Sequence, residues 1–228
     1  MNLLKFKIFE GHRVEAAFFP RGNDARFDWK MMSEELGFEK VAQLRQVHGN
    51  RVIRISGETL PPYDEADALV TAVRGVLLAV RVADCASVFL YDPVVKAVSL
   101  VHAGWRGLVS GVIPVALGTL KDDFGSAPGN LLAAAGPSLG PCCARFSVPE
   151  EELPEKLHQY ILEEKMVDLW AIVADQLRSS GVHENHTELI HRCTACHPDQ
   201  FYSHRKGDAE RMGAFIGLKG GTREAFKE

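Results

Sequence analysis

From Val76 to Ala103 the chain reads VLLAVRVADCASVFLYDPVVKAVSLVHA, and its punctuation sets the architecture. Val76–Val82, Ser87–Tyr91 and Lys96–Val101 are short runs rich in Val and Leu. They are separated by Ala83-Asp84-Cys85 and by Asp92-Pro93-Val94-Val95, residues suited to turns. Such runs predict buried strands, the last two forming a hairpin. If Asp92 pairs with Val95, His102 stands opposite Cys85, and a one-residue bulge would still leave the two adjacent. A thiol and an imidazole meeting at the open end of a hairpin are placed to share a metal ion. Taken singly, each residue is ordinary: cysteine is commonly a small core residue, and a strand-end histidine is commonly structural.

Outward from this stretch, Ala68–Thr71 and Leu131–Ala135 predict further strands. Residues 1–9 (MNLLKFKIF) alternate like an edge strand. From Leu108 to Phe124 the apolar period changes to that of an amphipathic helix, through Val109, Val112, Ile113, Ala116, Leu117, Leu120 and Phe124. Pro114 is expected to kink it. Asp168 is a candidate N-cap for a helix through Leu169, Ile172, Val173 and Leu177, closed by Gly181. Strands and helices alternate irregularly, so the expected fold is α/β with a mixed sheet, as one domain over residues 1–228.

Composition narrows the function. The chain has 228 residues, a net charge of −4 and both signs interspersed. Without a basic stripe interleaved with aromatics, nucleic acid is not an expected partner. No window approaches the roughly 20 apolar residues of a membrane helix, and the N-terminal stretch lacks the pattern of an export signal. A cytoplasmic protein with no membrane association is expected. The five cysteines include a vicinal pair, Cys142-Cys143, which argues against a disulfide framework and leaves thiols free to bind metal or react. A core of this size needs no structural metal, so a metal site is expected to serve chemistry.

Three short motifs end or follow strands and run into small residues: Gln46-Val47-His48-Gly49, Ala83-Asp84-Cys85, and His102-Ala103-Gly104-Trp105-Arg106-Gly107. His48, Cys85 and His102 form a borderline-soft ligand set suited to Zn2+, with copper also accommodated and a fourth position left for water or substrate. The turn after His102 opens a helix, where backbone N–H groups favour anions. Arg106 adds forked donors, so an oxyanion site beside the metal is expected. Cys193-Thr194-Ala195-Cys196-His197 matches the haem pattern C-x-x-C-H. It reads better as a loop beside the active site; a second zinc at Cys193 and Cys196 is the alternative, but no second pair with finger-like spacing follows it.

With QVHG, ADALVT (Ala66–Thr71), ADC, HAGWRG, GPSLGPCC (Gly136–Cys143) and CTACHPDQFYSHRK (Cys193–Lys206) in this order, the chain resembles the YfiH-type laccase-domain family from about Val41 to Leu218. That family is also known as multicopper polyphenol oxidase-like or purine nucleoside phosphorylase proteins. The resemblance implies one α/β domain with mixed sheets packed between helices, and a zinc ion on His48, Cys85 and His102. It further implies phosphorolysis of adenosine, inosine, guanosine and methylthioadenosine, and deamination of adenosine. Arg106, helped by Arg205 or Arg211, would hold phosphate, and Asp84 or Cys85 would move protons. The partners expected are a small-molecule nucleoside and phosphate, the chain being a monomer or homodimer. The alternatives carried by the same resemblance are a copper polyphenol oxidase and a zinc hydrolase that edits cell-wall precursors.

The chain departs from the family pattern in four places. The segment Phe19-Pro20-Arg21-Gly22-Asn23 leads almost directly to the helix-like Met31–Leu36, shortening a Gly-rich stretch. Ala86-Ser87 follow ADC where Pro is common. Cys142-Cys143 are followed by Ala144-Arg145 in place of an aromatic and an acid. His204 stands where Tyr is common. These changes bear on substrate preference and leave the ligand set intact.

Overall fold

The computed structural model describes residues 3–22, 29–57 and 64–220. Met1, Asn2 and Asn23, which belong to the expected edge strand and the shortened segment, lie outside the described residues. In chain order the first strands are β1 (Leu4–Lys5), β2 (Val14–Phe19), β3 (Lys40–Ala42), β4 (Val52–Arg54), β5 (Ala68–Thr71) and β6 (Val76–Val82). They are followed by β7 (Ala86–Asp92), β8 (Ala97–Ala103), β9 (Leu132–Ala135), β10 (Thr187–Leu189) and β11 (Met212–Leu218). The α-helices are α1 (Trp29–Glu35), α2 (Trp105–Val109), α3 (Val112–Phe124), α4 (Pro149–Glu152) and α5 (Leu169–Ser179).

The strands form two mixed sheets, one ordered β1-β2-β11-β6-β3 and the other β10-β9-β7-β8-β5-β4. Each is mainly antiparallel with parallel pairs at its edges: β3 with β6 in the first, β4 with β5 and β10 with β9 in the second. The sheets pack face to face. Leu78, Val80 and Ile216 of one meet Phe89, Tyr91 and Leu100 of the other in a shared buried cluster. On the outer face of the six-stranded sheet, Val88, Leu90 and Val101 pack against Ile113, Leu117 and Leu120 of α3 and Ile172 of α5. On the outer face of the other, Phe19, Leu77 and Phe215 pack against Trp29 and Phe38. The expected α/β fold with mixed sheets between helices is therefore observed. Each fully buried Leu or Phe stabilises it by about 1.5–3 kcal/mol.

Three local expectations are corrected. First, Asp92 pairs with Ala97, and Ser87, not Cys85, is the partner of His102. The loop is two residues longer because the Asp92 carboxylate accepts from the N–H groups of Val94 and Val95 (2.7 and 3.1 Å). Lys96 then turns through the left-handed region at φ 57°. A shift of two preserves side-chain parity, so Cys85 keeps to the face of His102. Second, the helix of residues 108–124 breaks at Gly111, whose φ of 75° is the left-handed conformation glycine adopts at least cost. Pro114 kinks nothing, because it lies in the first turn of α3, where its missing N–H has no intrahelical partner to lose. Third, the N-terminal strand ends after Lys5. The segment Lys7–Phe9 is a 3-10 turn, which lets the rings of Phe6 and Phe9 both enter the core with centroids 6.1 Å apart. Asp168 caps α5 as expected, accepting from the Ala171 N–H at 2.9 Å.

Candidate metal centre

His102 continues the row of Val98 and Leu100 along β8, and therefore projects between the two sheets at their end, where it is buried. Cys85 sits in the turn from β6 to β7, directly after Asp84 at φ 79°. His48 lies in the loop from β3 to β4, itself at φ 60°. Two of the three candidate ligands thus occupy or follow left-handed turns that residues other than glycine adopt only when their surroundings enforce it.

Asp67 is what enforces it at His48. Its wholly buried carboxylate accepts from three successive backbone N–H groups, those of Val47, His48 and Gly49, at 3.3, 2.9 and 2.7 Å. The same carboxylate lies 2.8 Å from Nδ1 of His102, and the Asp67 carbonyl accepts the His102 backbone N–H at 2.7 Å. With Nδ1 donating to Asp67, the Nε2 lone pair of His102 faces Cys85 and His48. This carboxylate–histidine arrangement is the one that orients a metal-binding imidazole.

Ligand atoms of His48, Cys85 and His102 all lie within 4.8 Å of one another, with the two imidazole centroids 4.9 Å apart and nearly perpendicular. Gly104 makes room for them. A Cβ there would stand 2.9 Å from His48 Cδ2 and 3.0 Å from Cys85 Sγ. The electrostatics are those of a primed thiolate. Burial pushes the Cys85 thiol up, but the His102 and His48 imidazoles more than offset it and bring it down to about 7. Burial disfavours a charged His102, yet Asp67 and Cys85 raise it to about 9. Asp67, despite burial, is held below the usual carboxylate range by His102 and by the Gly49 and His48 N–H groups. Two nitrogens and a sulfur converging over a buried carboxylate fit a zinc-type ion in both donor chemistry and spacing.

A small cavity of about 60 Å3 adjoins Cys85, lined among others by Asp84, Trp105, Leu108, Leu139 and Leu169. A larger groove of about 900 Å3 runs along α5 past Trp170, Asp175 and His191, and none of the three candidate ligands lines it.

The surrounding polar residues take distinct places. Asp84 accepts from the Thr194 hydroxyl at 2.6 Å and from the Arg205 backbone N–H at 2.7 Å, while its carbonyl accepts from Leu139 N–H at 2.8 Å. Its carboxylate thus braces the loops over the site. Arg106 is exposed and stacked over the Trp105 ring at 4.1 Å. Arg205 is exposed and donates to the carbonyl of Arg145. Arg211 donates to the carbonyls of Asp208, Ala209 and Glu210 on its own turn. The helix that opens after His102, α2, has only five residues and carries Arg106 in its first turn. Asp67 and Thr194 carry the site without having been singled out by sequence. Asp67 lies inside ADALVT, but no spacing rule links it to His102, 35 positions away. A second group, Cys142, Cys143, Cys193 and Cys196, also gathers within 4.8 Å.

Known proteins resemble this chain in sequence and fold. The chain is 32% identical over 216 residues to the purine nucleoside phosphorylase YlmD of Geobacillus stearothermophilus, covering 83% of this chain and 77% of that protein. It is 34% identical over 208 residues to a purine nucleoside phosphorylase of Deinococcus radiodurans, covering 85% and 78%. The human purine nucleoside phosphorylase LACC1 is 31% identical over 202 residues, but the 83% of this chain that matches spans only 46% of that longer protein. The crystal structure of YlmD from Geobacillus stearothermophilus superposes with a TM-score of 0.80 at 25% identity, covering 94% of each chain. That of the Bacillus licheniformis hypothetical protein YfiH gives 0.81 at 23% identity, covering 91% of this chain and 93% of that one, and supports the fold alone. The family model described as multi-copper polyphenol oxidoreductase laccase matches residues 24–219, a span that holds both sheets' central strands and all three converging ligands, and the chain belongs to that family.

Proposed function

We propose that the chain is a zinc-dependent purine nucleoside phosphorylase that acts on adenosine, inosine, guanosine and methylthioadenosine and also deaminates adenosine. The convergence of His48, Cys85 and His102 beside a cavity carries this reading, and the activity for which its relatives are named gives the substrate class. An ion on these three residues would supply Lewis acidity to an atom brought to its open position. In phosphorolysis an oxygen of phosphate bonds to the ribose C1′ as the C1′–N9 bond breaks. The electron pair leaves with the base, which takes up a proton.

The chain's own residues do the positioning. Arg106, held at fixed height by Trp105, presents two parallel donors to phosphate. Arg205, anchored through its backbone to Asp84, supplies a second positive charge on the opposite loop. The apolar wall of Trp105, Leu108, Leu139 and Leu169 excludes water from the reacting end. Reduced thiols at all five cysteines accord with work in the cytoplasm, as a monomer or homodimer without nucleic-acid partners. No described helix is long and apolar enough to cross a membrane.

Copper polyphenol oxidation is the weaker reading. It needs several coppers, and among the described residues only one of the two groups of close potential ligands contains histidine. The test is a turnover panel on the zinc-loaded chain and on the same chain stripped by chelator. Phosphate-dependent release of hypoxanthine and ribose 1-phosphate from inosine, restored by zinc, supports the proposal. A zinc-replete chain inert towards adenosine, inosine and methylthioadenosine refutes it. Ammonia release from adenosine reports the deaminase arm, and oxidation of phenols only after copper loading would favour the oxidase.

A further inference from the structure

Cys142 and Cys143 lie in the turn after Gly140, while Cys193 is the N-cap and Cys196 the last residue of a 3-10 turn, Thr194–Cys196. The two segments are fifty residues apart in sequence, yet all four sulfurs lie within 4.8 Å of one another. Cys196 Sγ is 3.4 Å from Cys142 Sγ and 3.5 Å from Cys143 Sγ. A tetrahedral tetrathiolate centre with metal–sulfur bonds of about 2.3 Å needs sulfur–sulfur separations of about 3.8 Å, the scale on which these four are set. The backbone is arranged for a thiolate as well. The Gly140 N–H points at Cys193 Sγ from 3.3 Å, and the Cys196 N–H bonds back to the Cys193 carbonyl at 3.2 Å, drawing the second thiol of the C-x-x-C pair under the first. No core role accounts for the group, since Cys142 and Cys196 are exposed and only Cys193 is buried.

We propose that Cys142, Cys143, Cys193 and Cys196 bind a second zinc ion, a structural one, distinct from the ion on His48, Cys85 and His102. A set of four sulfurs leaves no open coordination position, which is the signature of structural rather than catalytic zinc. Its place in the fold shows what it holds. Thr194, between the C-x-x-C cysteines, donates to the Asp84 carboxylate at 2.6 Å, next to Cys85. Its N–H bonds to the Ser138 carbonyl at 3.1 Å, and Leu139 bonds to the Asp84 carbonyl. The second ion therefore staples the loop of residues 136–145 to the loop of residues 193–206, and both loops close over the turn that carries Cys85. The haem-like C-x-x-C-H pattern is explained in the same way. His197 turns its Nδ1 to the Cys193 carbonyl at 2.9 Å, and both thiols face the vicinal pair.

The test is metal analysis of the whole chain purified under reducing conditions without chelator, together with optical spectra after cobalt(II) replacement. The wild-type chain should carry about two zinc equivalents, and its cobalt form should show the intense bands of a tetrahedral tetrathiolate. The Cys142→Ser/Cys196→Ser double variant should lose one equivalent and those bands. The His48→Ala variant should lose the other equivalent and keep the bands. A wild-type chain with one zinc equivalent or fewer and no tetrathiolate bands overturns the proposal. So does a mass lower by two hydrogens after reducing purification, which would show a disulfide in place of the site. The wild-type spectrum and mass decide the matter even if the double variant fails to fold.

Discussion

Asp67 and His102 are 35 residues apart, yet the Asp67 carboxylate lies 2.8 Å from the His102 Nδ1 while also accepting the His48 N–H. One buried carboxylate therefore fixes the tautomer of one candidate ligand and the backbone of another. Asp67→Asn keeps the shape but puts an NH2 where an acceptor is needed. We expect zinc affinity at the His48/Cys85/His102 site to fall by about 10- to 100-fold, measured by competition with a chromogenic chelator. Asp67 is held low in the folded chain, so its contribution to stability is whole above about pH 4 and is lost as the pH falls through its depressed value. The Asn variant should accordingly lose stability at neutral pH and converge on wild type in strong acid.

Gly104 is the position where a single methyl group should separate metal binding from folding. A Cβ there meets His48 Cδ2 at 2.9 Å and Cys85 Sγ at 3.0 Å, while its φ of −71° suits any residue. Gly104→Ala should cost about 1–3 kcal/mol at most, readable as a modest drop in Tm, and should lose the zinc equivalent of the His/Cys/His site. Wild-type metal content in this variant would contradict the crowding argument.

The thiol of Cys85 gives a pH signature. In the metal-free chain it is brought down to about 7, so roughly half is thiolate at pH 7, against a few per cent or less for an ordinary cysteine. The sign follows from linkage. The Cys85 contribution to stability is complete above its ordinary value and is lost as the pH falls through about 7. The His102 contribution is complete below about 6.5 and is lost as the pH rises through about 9. Thiolate and imidazolium therefore coexist between about 7 and 9. Ultraviolet thiolate absorbance of the metal-free wild type minus that of Cys85→Ser should titrate near 7. A midpoint near 9 would contradict the proximity of the imidazoles.

The break between α2 and α3 tests the origin of the helix shape. Gly111→Ala places a Cβ in open space but at φ 75°, and should destabilise by about 1–2 kcal/mol through left-handed strain. Pro114→Ala, at an exposed first-turn position, should stay within about 0.5 kcal/mol of wild type. Urea denaturation of both variants checks the pair.

What sequence could and could not show has physical reasons. The strands Ala68–Thr71 and Val76–Val82 were legible residue by residue, because both are continuous Val/Leu runs closed by turn residues. The meeting of Cys85 with His102 was legible even though the register was not. The register depends on Asp92 capping its own loop and on Lys96 adopting a left-handed turn, yet an even shift leaves the facing side chains unchanged. His48, Asp67 and Thr194 reach the site through tertiary contacts 18 to 110 residues in span, which no local period encodes, so His48 is reached in sequence only through its strand-end motif and the family resemblance. The four-cysteine group is only half legible for the same reason. The C-x-x-C half looks unpaired in sequence until the fold carries Cys142 and Cys143 against it, so a second zinc there reads as the lesser alternative to a loop.

The account rests on two imidazole nitrogens and one sulfur sharing an ion over the Asp67 carboxylate. X-ray diffraction from zinc-loaded crystals, collected on both sides of the zinc absorption edge, tests this most directly. The account predicts an anomalous peak within bonding distance of His48, Cys85 and His102. Full zinc loading with no peak among those three side chains would contradict it.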